Sequence, residues 1–150
     1  FCPPPRVRGG GTDEHRLSKG KNMNELRPRE AVIFASDFSA MIAWYRDVLG
    51  FKAVNLIEEG YHYCNLETSS GIKLGIASAE EMGVAPVDRA NNSVVLQFEV
   101  DDLRALFTQL EQSGASITGG PTFSEKDGFW FGSFADPEGN PFWVVDRNCP

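Results

Sequence analysis

Few residues of this sequence are of the types that bind metals or act as nucleophiles. It has two histidines, His15 and His62, and three cysteines, Cys2, Cys64 and Cys149. The cysteines form no metal-binding spacing, and their odd number is a poor disulfide framework, although Cys2 and Cys149 could pair if the two ends of the chain meet. No Cys–His or Ser–His–Asp arrangement can be argued for nucleophilic catalysis. His62 lies in an aromatic, strand-like segment, where a lone histidine is typically a surface or hydrogen-bonded structural residue. We interpret Cys64 as a small core residue.

Acidic and aromatic side chains offer a second kind of chemistry. Glu30 opens the apolar segment "EAVIFA", and in an apolar setting such a carboxylate could serve as a general base. The hairpin-like stretch "ADPEGNPFWVV" (135–145) carries Trp143 on its returning strand, and the aromatic segment "GFWF" precedes it. Aromatic walls with a few placed polar groups are the usual make-up of a small-molecule pocket.

Composition limits the class of protein that can hold these residues. The chain has 150 residues, 41% of them hydrophobic, and a formal net charge of -7. It is long enough to bury a core, and its acidic balance argues against nucleic acid or an anionic membrane as partner. No apolar run approaches the ~20 residues that span a bilayer. Residues 1–22 contain no segment of signal-peptide type; Pro, Gly, Arg and Lys dominate them, which predicts a tail, not necessarily native, before a single domain at 23–150. The odd number of cysteines favours reduced thiols and therefore a cytoplasmic protein.

The elements that must position these residues occur twice in the sequence. Residues 30–50, "EAVIFASDFSAMIAWYRDVLG", align with residues 95–115, "VLQFEVDDLRALFTQLEQSGA". Each copy has an apolar strand, a capping pair that ends in Asp37 or Asp102, and then an amphipathic helix. Gly50 and Gly114 are predicted to end the two helices. The repeat predicts two strand–helix units of the same kind.

The second halves of the two copies also match. Residues 60–76, "GYHYCNLETSSGIKLGI", align with residues 128–144, "GFWFGSFADPEGNPFWV", and each pattern is typical of a β-hairpin. One further strand is predicted between each helix and its hairpin. The sequence therefore predicts two strand–helix–strand–strand–strand modules, at about 28–77 and 93–146, joined by a linker at 78–92. Neither module can bury its sheet and helix alone, so the two must pack together or against a second chain.

Three stretches make the sequence resemble a known family: "IFASDFSAMIAWYRDVLGF" (33–51), "FEVDDLRAL" (98–106) and "FADPEGNPFWVV" (134–145). They are similar to the vicinal oxygen chelate superfamily, also called the glyoxalase, bleomycin-resistance and dioxygenase superfamily. The resemblance covers about residues 28–146. It implies an α+β fold in which the two modules form a curved, cup-like mixed sheet with the helices outside, and usually a homodimer.

Enzymes of this superfamily hold a divalent metal with side chains from the first and fourth strands of each module. Aligned on the helix-capping aspartates, the first-strand positions of this chain are Glu30 and Val95. Aligned on the turn glycines, the fourth-strand positions are Gly75 and Trp143. A transition-metal site needs at least three N, O or S donors, and only Glu30 offers one. The resemblance therefore implies no metal and no cofactor here, with Trp143 as an aromatic wall and Gly75 leaving room beside it.

The side chains that line the cup follow from strand alternation. Val32 and Phe34 share the face of Glu30, and Glu99 shares the face of Gln97. With "DPEGN" as a hairpin loop, the aromatic strands direct Phe129, Phe131, Tyr61 and Tyr63 into the cup. A slip of one residue would direct His62, Cys64, Trp130 and Phe134 there instead, and the sequence leaves this register open. The predicted ligand-binding residues are Glu30, Phe34, Tyr61, Tyr63, Gln97, Phe129, Phe131 and Trp143.

Three functions compete. The favoured one is a metal-free homodimer of the bleomycin-resistance kind, which sequesters a drug or metabolite and so confers antibiotic resistance; its ligand would be small and aromatic, neutral or cationic. The alternative is a superfamily enzyme (a lyase, isomerase or dioxygenase) that uses Glu30 as general base or a displaced metal site. The third is an interaction module whose aromatic side chains fill the cup. A ligand that shifts the melting temperature separates the third from the others, and turnover of that ligand separates the first two.

Overall fold

A computed structural model describes residues 26–91 and 94–150 of the chain. The predicted tail at 1–22, with Cys2 and His15, and the end of the predicted linker lie outside the described residues. The elements follow the predicted order twice, so the α+β class and the paired modules are confirmed. Module one comprises β1 (Ala31–Ala35), α1 (Phe38–Asp47), β2 (Lys52–Ile57), β3 (Tyr63–Glu67) and β4 (Lys73–Ser78); module two comprises β5 (Leu96–Val100), α2 (Leu103–Gln112), β6 (Ser116–Ser124), β7 (Phe129–Ala135) and β8 (Pro141–Asp146).

Both helices begin at the predicted aspartates. The Asp37 side chain accepts a hydrogen bond from the Ala40 amide (3.0 Å), and Asp102 accepts one from Ala105 at the same distance. Each bond satisfies an amide that the first helical turn leaves without an internal partner. Gly50 and Gly114 follow the helices with φ angles of 74° and 72°, a left-handed conformation that glycine adopts without strain. The capping and stop signals of the sequence therefore set both helix ends.

Each module forms one four-stranded mixed sheet. The strand orders are β1-β4-β3-β2 and β5-β8-β7-β6, with the first and last strand of each module parallel and the other pairs antiparallel. Alternation turns one face of each sheet toward the helices and the core. We call the other face, which carries Glu30, Tyr63 and Asn65 in module one and Gln97, Phe131 and Trp143 in module two, the open face.

One hydrophobic cluster receives the helix-side residues of both modules. Phe142 of β8 stacks on Phe98 and Phe134, with ring centroids 5.3 and 5.4 Å apart, and meets Tyr45 of α1 edge-on. Helix α2 lies so close to β7 that a Cβ at Gly132 would collide with the Phe107 ring. The cluster consists of Ile33, Ala35, Met41, Ile42, Tyr45, Phe51, Cys64, Leu66, Leu74, Ile76, Leu103, Phe107, Leu110, Phe134, Phe142 and Val144. Burial of the Cys64 thiol in it raises the pKa of that group.

The β7–β8 loop, residues 136–140, joins the two modules and is called the junction loop below. Its Asp136 is buried and accepts hydrogen bonds from the Tyr45 hydroxyl of α1 (2.7 Å) and from the amides of Glu138 and Asn140. Burial, and then the charge of Asp136, raise the pKa of Tyr45 far above its ordinary value. Glu138 accepts bonds from the amides of Ser36 (2.6 Å) and Asp37 (3.0 Å). A turn of module two thus caps the helix of module one.

Arg89 of the linker completes this junction. Its guanidinium donates to the Phe34 carbonyl (2.6 Å), to Asn140 Oδ1 and to Glu138 Oε1. Its side chain is 11% exposed and that of Glu138 is 14% exposed. Such a pair is sensitive to the loss of either partner, because the remaining charge would be buried alone. Within the two described ranges, no helix is long and apolar enough to cross a membrane.

Candidate functional site

Glu30 is held on the open face of module one by two side chains from β3. The Tyr63 hydroxyl donates to Glu30 Oε1 (2.5 Å), and Asn65 Nδ2 donates to Oε2 (2.8 Å). Asn65 is held in turn, since its Oδ1 accepts from Asn55 Nδ2 of β2 (3.1 Å). Strand alternation explains the grouping, because residues 63 and 65 of one strand lie on the same face. The result is a fixed carboxylate with a donor on each oxygen.

Gly75 of β4 is the residue that admits this network. It lies opposite Asn65 in the β3–β4 ladder. A Cβ at this position would collide with the Tyr63 hydroxyl, and would lie 2.8 Å from Tyr63 Cζ and 3.2 Å from Glu30 Oε1. The expectation that Gly75 leaves free room in the cup therefore needs correction, because the Tyr63 hydroxyl takes that room.

The open face of module two is aromatic instead. Trp143 of β8 is 42% exposed and stands between Gln97 of β5 and Ser133 of β7 in the register of the sheet. Phe131 lies on the same face, and its ring centroid is 6.0 Å from that of the buried Phe129. An exposed indole flanked by an amide and a hydroxyl can stack on a flat ring and still offer polar contacts.

The hairpin register that the sequence left open is now visible. Tyr63 and Phe131 lie on the open faces, whereas Cys64 is fully buried in the core. Trp130 packs against the helix side, where the Arg104 guanidinium lies 5.3 Å from its ring centroid.

The two other predicted residues are Tyr61 and Phe34. Tyr61 precedes β3 and is 46% exposed. Phe34 is half-buried at the end of β1, where its carbonyl accepts from Arg89.

His62 belongs to a different contact. Its ring nitrogen Nδ1 lies 2.6 Å from Glu81 Oε1, and its backbone amide donates to Glu81 Oε2 (2.7 Å). The hydrogen bond from the His62 backbone amide has the largest effect, and the contact with the His62 ring the next largest; together they hold the pKa of the Glu81 carboxyl below its usual range. The His62 ring also meets Phe38 of α1 edge-on at 5.4 Å. Through these contacts His62 links the start of β3 to the first residues of the linker.

The four family metal positions do not fit a metal ion in this chain. Among the four positions Glu30 alone offers a metal donor, Gly75 lies under Tyr63, and Val95 and Trp143 carry no donor. Across residues 26–91 and 94–150, no group of three or more His, Cys, Asp or Glu side chains is arranged to hold a metal. The donor chemistry at these positions is therefore that of hydrogen bonding and aromatic contact.

A cavity of about 570 Å³ lies where β1 approaches β5 and β8 beneath the linker. Val32 and Phe34 of module one, Leu96 and Phe142 of module two, and the linker residue Arg89 contribute to its walls. Sequence reasoning missed this cavity and the junction around Arg89, because both depend on contacts between distant parts of the chain. The composition of the linker carries no signal that would have revealed them.

Comparison with known proteins assigns the chain to a family. A model of the "Glyoxalase/Bleomycin resistance protein/Dioxygenase superfamily" matches residues 27–144. A search of curated proteins gives no match.

Solved structures resemble the chain over most of their length. A glyoxalase/bleomycin resistance protein/dioxygenase family enzyme from Burkholderia phytofirmans is 23% identical, with a TM-score of 0.63, over 78% of this chain and 95% of its own. A superfamily member from Sphaerobacter thermophilus is 20% identical, with a TM-score of 0.67, over 82% and 98%. An integron cassette protein from V. cholerae is 24% identical, with a TM-score of 0.58, over 82% and 97%. At these identities the similarity shows the fold alone.

Proposed function

Because this chain belongs to the glyoxalase/bleomycin resistance protein/dioxygenase superfamily, we propose that it is a metal-free member that binds a small, flat aromatic cation. In this proposal the open faces line a cup, and the ligand is a drug or metabolite that is sequestered unchanged. We further propose that the protein confers antibiotic resistance of the bleomycin-resistance kind and that it is cytoplasmic.

Trp143 is the observation that carries this proposal. It occupies a family metal position and is 42% exposed on the open face, with Phe131 nearby. An exposed indole with a half-buried phenyl ring on the same face favours a binding site, because a bound ring would cover it. An indole face also attracts a cation, by roughly 0.5–2 kcal/mol according to its desolvation.

Charge supports the cationic part of the ligand. Glu30 presents a fixed carboxylate on one open face, and Glu99 is exposed on the other, on the face of Gln97. The chain as a whole carries a formal charge of -7, which favours the approach of cations. A planar cation would combine ring contact with charge pairing.

We also propose a homodimer, which leaves two ways to build the cup: from both modules of one chain, or from one module of each of two chains. Light scattering on the purified protein measures the mass that decides for or against the dimer. A monomer at working concentration would contradict it.

The binding proposal is tested by equilibrium dialysis against flat aromatic cations and neutral analogues of the same size. The Trp143→Ala variant should weaken binding by roughly tenfold or more, as expected for a central aromatic contact. Phe123→Ala is the matched control, because Phe123 is a comparably exposed aromatic of the same sheet (38%) that contacts Trp130 on the helix side. Equal losses in both variants, or no binding by any compound, would overturn the proposal.

An enzymatic role is the second candidate, and it rests on the partly buried carboxylate of Glu30 on the open face. Here Glu30 would act as general base in a superfamily reaction, a lyase, isomerase or dioxygenase step. A bound ligand that is converted by the wild type and left unchanged by Glu30→Gln supports this role. Binding without turnover supports sequestration.

A further inference from the structure

The Tyr63 hydroxyl lies where a metal-binding side chain of β4 would begin. It sits directly over Gly75, so that no side chain can stand at that position while Tyr63 keeps its bond to Glu30. In a metal site the partner of the first-strand carboxylate would be a cation. Here the partner is an O–H group, which is a strong donor to a carboxylate oxygen.

Asn65 supplies the second donor and fixes the direction of the carboxylate. It bonds Glu30 Oε2, and Asn55 holds its amide from β2. An ionised carboxylate has about four lone-pair sites, and the bonds from Tyr63 and Asn65 use two of them. The remaining sites are available to a ligand, because Glu30 is only partly buried.

We propose that Tyr63 and Asn65 are positioning residues that replace a metal ion as the partners of Glu30, and that Glu30 so held receives an N–H donor of a cationic aromatic ligand. The inference rests on the proposed function and specifies its polar contact. Positioning matters because a free glutamate loses side-chain freedom when it binds a ligand. On this site that loss has already occurred in the folded protein.

The test uses two probes of nearly the same shape, 2-naphthamidine, a cation, and 2-naphthamide, which is neutral. Equilibrium dialysis gives the ratio of their affinities for each variant. The wild type should prefer the cation by about tenfold, as expected for hydrogen bonds to charged groups. Glu30→Gln should abolish the preference while the neutral probe binds as before.

Tyr63→Phe and Asn65→Leu should each lower the cation preference by about three- to tenfold, which corresponds to the cost of ordering one flexible side chain. Combined with Glu30→Gln, neither substitution should change the ratio further, because both act through Glu30. Glu30→Asp keeps the charge but shortens the side chain, and it should behave like Glu30→Gln. A merely structural role would change stability without changing this ratio.

The outcomes separate the inference from the function on which it rests. If Glu30→Asp and Tyr63→Phe keep the full preference, the inference is overturned and the proposed binding function stands. If both probes bind the wild type with equal affinity, the inference is overturned, and of the proposed function only the binding of a flat aromatic ligand stands. If neither probe binds, the proposed function is wrong and the inference with it. Ni or Zn bound at one ion per chain in the chelated and reloaded wild type, and lost in Glu30→Gln, would also overturn it.

Discussion

The two modules have the same order of elements, yet their open faces differ in kind. In module one the positions that hold a metal in enzymes of the family are Glu30 and Gly75. Tyr63 lies over Gly75, and Tyr63 and Asn65 are hydrogen-bonded to Glu30. In module two they are Val95 and Trp143, and an exposed indole stands there instead. The backbone frame tolerates both solutions, because side chains on an open face can change without disturbing the core on the other face. Similar frames therefore need not carry similar chemistry.

The hairpin loops differ in a second way. Asp136 and Glu138 of the junction loop reach α1, whereas the residues aligned with them in module one are Thr68 and Ser70. The Thr68 hydroxyl bonds within its own turn, to the Ser70 hydroxyl (2.8 Å) and the Ile72 amide (3.1 Å). Among the described residues, the loop of module two thus reaches across to the other module and the loop of module one does not, and this difference can be measured.

Asp136→Ala should have the largest effect. The substitution removes four hydrogen-bond acceptor contacts from a buried carboxylate and leaves the Tyr45 hydroxyl without its partner. We expect a loss of about 3–5 kcal/mol in the free energy of unfolding, because several neutral donors lose a carboxylate acceptor at once, and hydrogen bonds to charged groups contribute about 1.5–3 kcal/mol each. Urea denaturation provides the measurement. Thr68→Ala, the same change in the aligned turn of module one, should cost about 1 kcal/mol, and equal costs would remove the proposed asymmetry.

Gly75→Ala should have the next largest effect. The new methyl group would collide with Tyr63, and displacing that side chain also breaks its bond to Glu30. Overpacking of this kind costs about 1–3 kcal/mol. The matched control is the same substitution in a Tyr63→Ala background, where the methyl group meets no phenol ring. If Gly75→Ala costs as much there, the clash with Tyr63 is not the reason for the glycine.

Local signals predicted the frame of both modules. The two helix-capping aspartates, the glycines after the helices and the repeat itself lie within a few residues of the structure they specify. The position of Trp143 on an open face also followed from alternation and the hairpin loop. These features depend on short-range geometry, which a sequence displays directly.

The contacts that distinguish the modules could not be predicted in this way. Glu138 and Ser36 are distant in the chain, and nothing in "DPEGN" indicates that its glutamate caps another module's helix. Prediction of the bond between Tyr63 and Glu30 would have required the hairpin register, and alternation alone allowed two registers. The room that the sequence predicts at Gly75 is filled by Tyr63, because a sequence does not show which neighbour occupies the space above a glycine.

The smallest expected effect on stability concerns two aligned residues that contact the helices, His62 in module one and Trp130 in module two. His62 is held by Glu81, and the Arg104 guanidinium lies against Trp130. Because His62 lowers the pKa of Glu81 from its ordinary value of 4.5, the contact stabilises the fold above that pH, and the contribution is lost as pH falls through the lower folded-state value. Melting temperatures of wild type and Glu81→Gln should therefore differ at about pH 7 and converge toward about pH 3. Arg104→Gln is the control, since arginine stays charged over this range and its difference from wild type should not follow the titration of Glu81. If the melting temperatures of wild type and Glu81→Gln still differ by the same amount in acid, the contacts of His62 and Trp130 both stabilise the fold independently of pH.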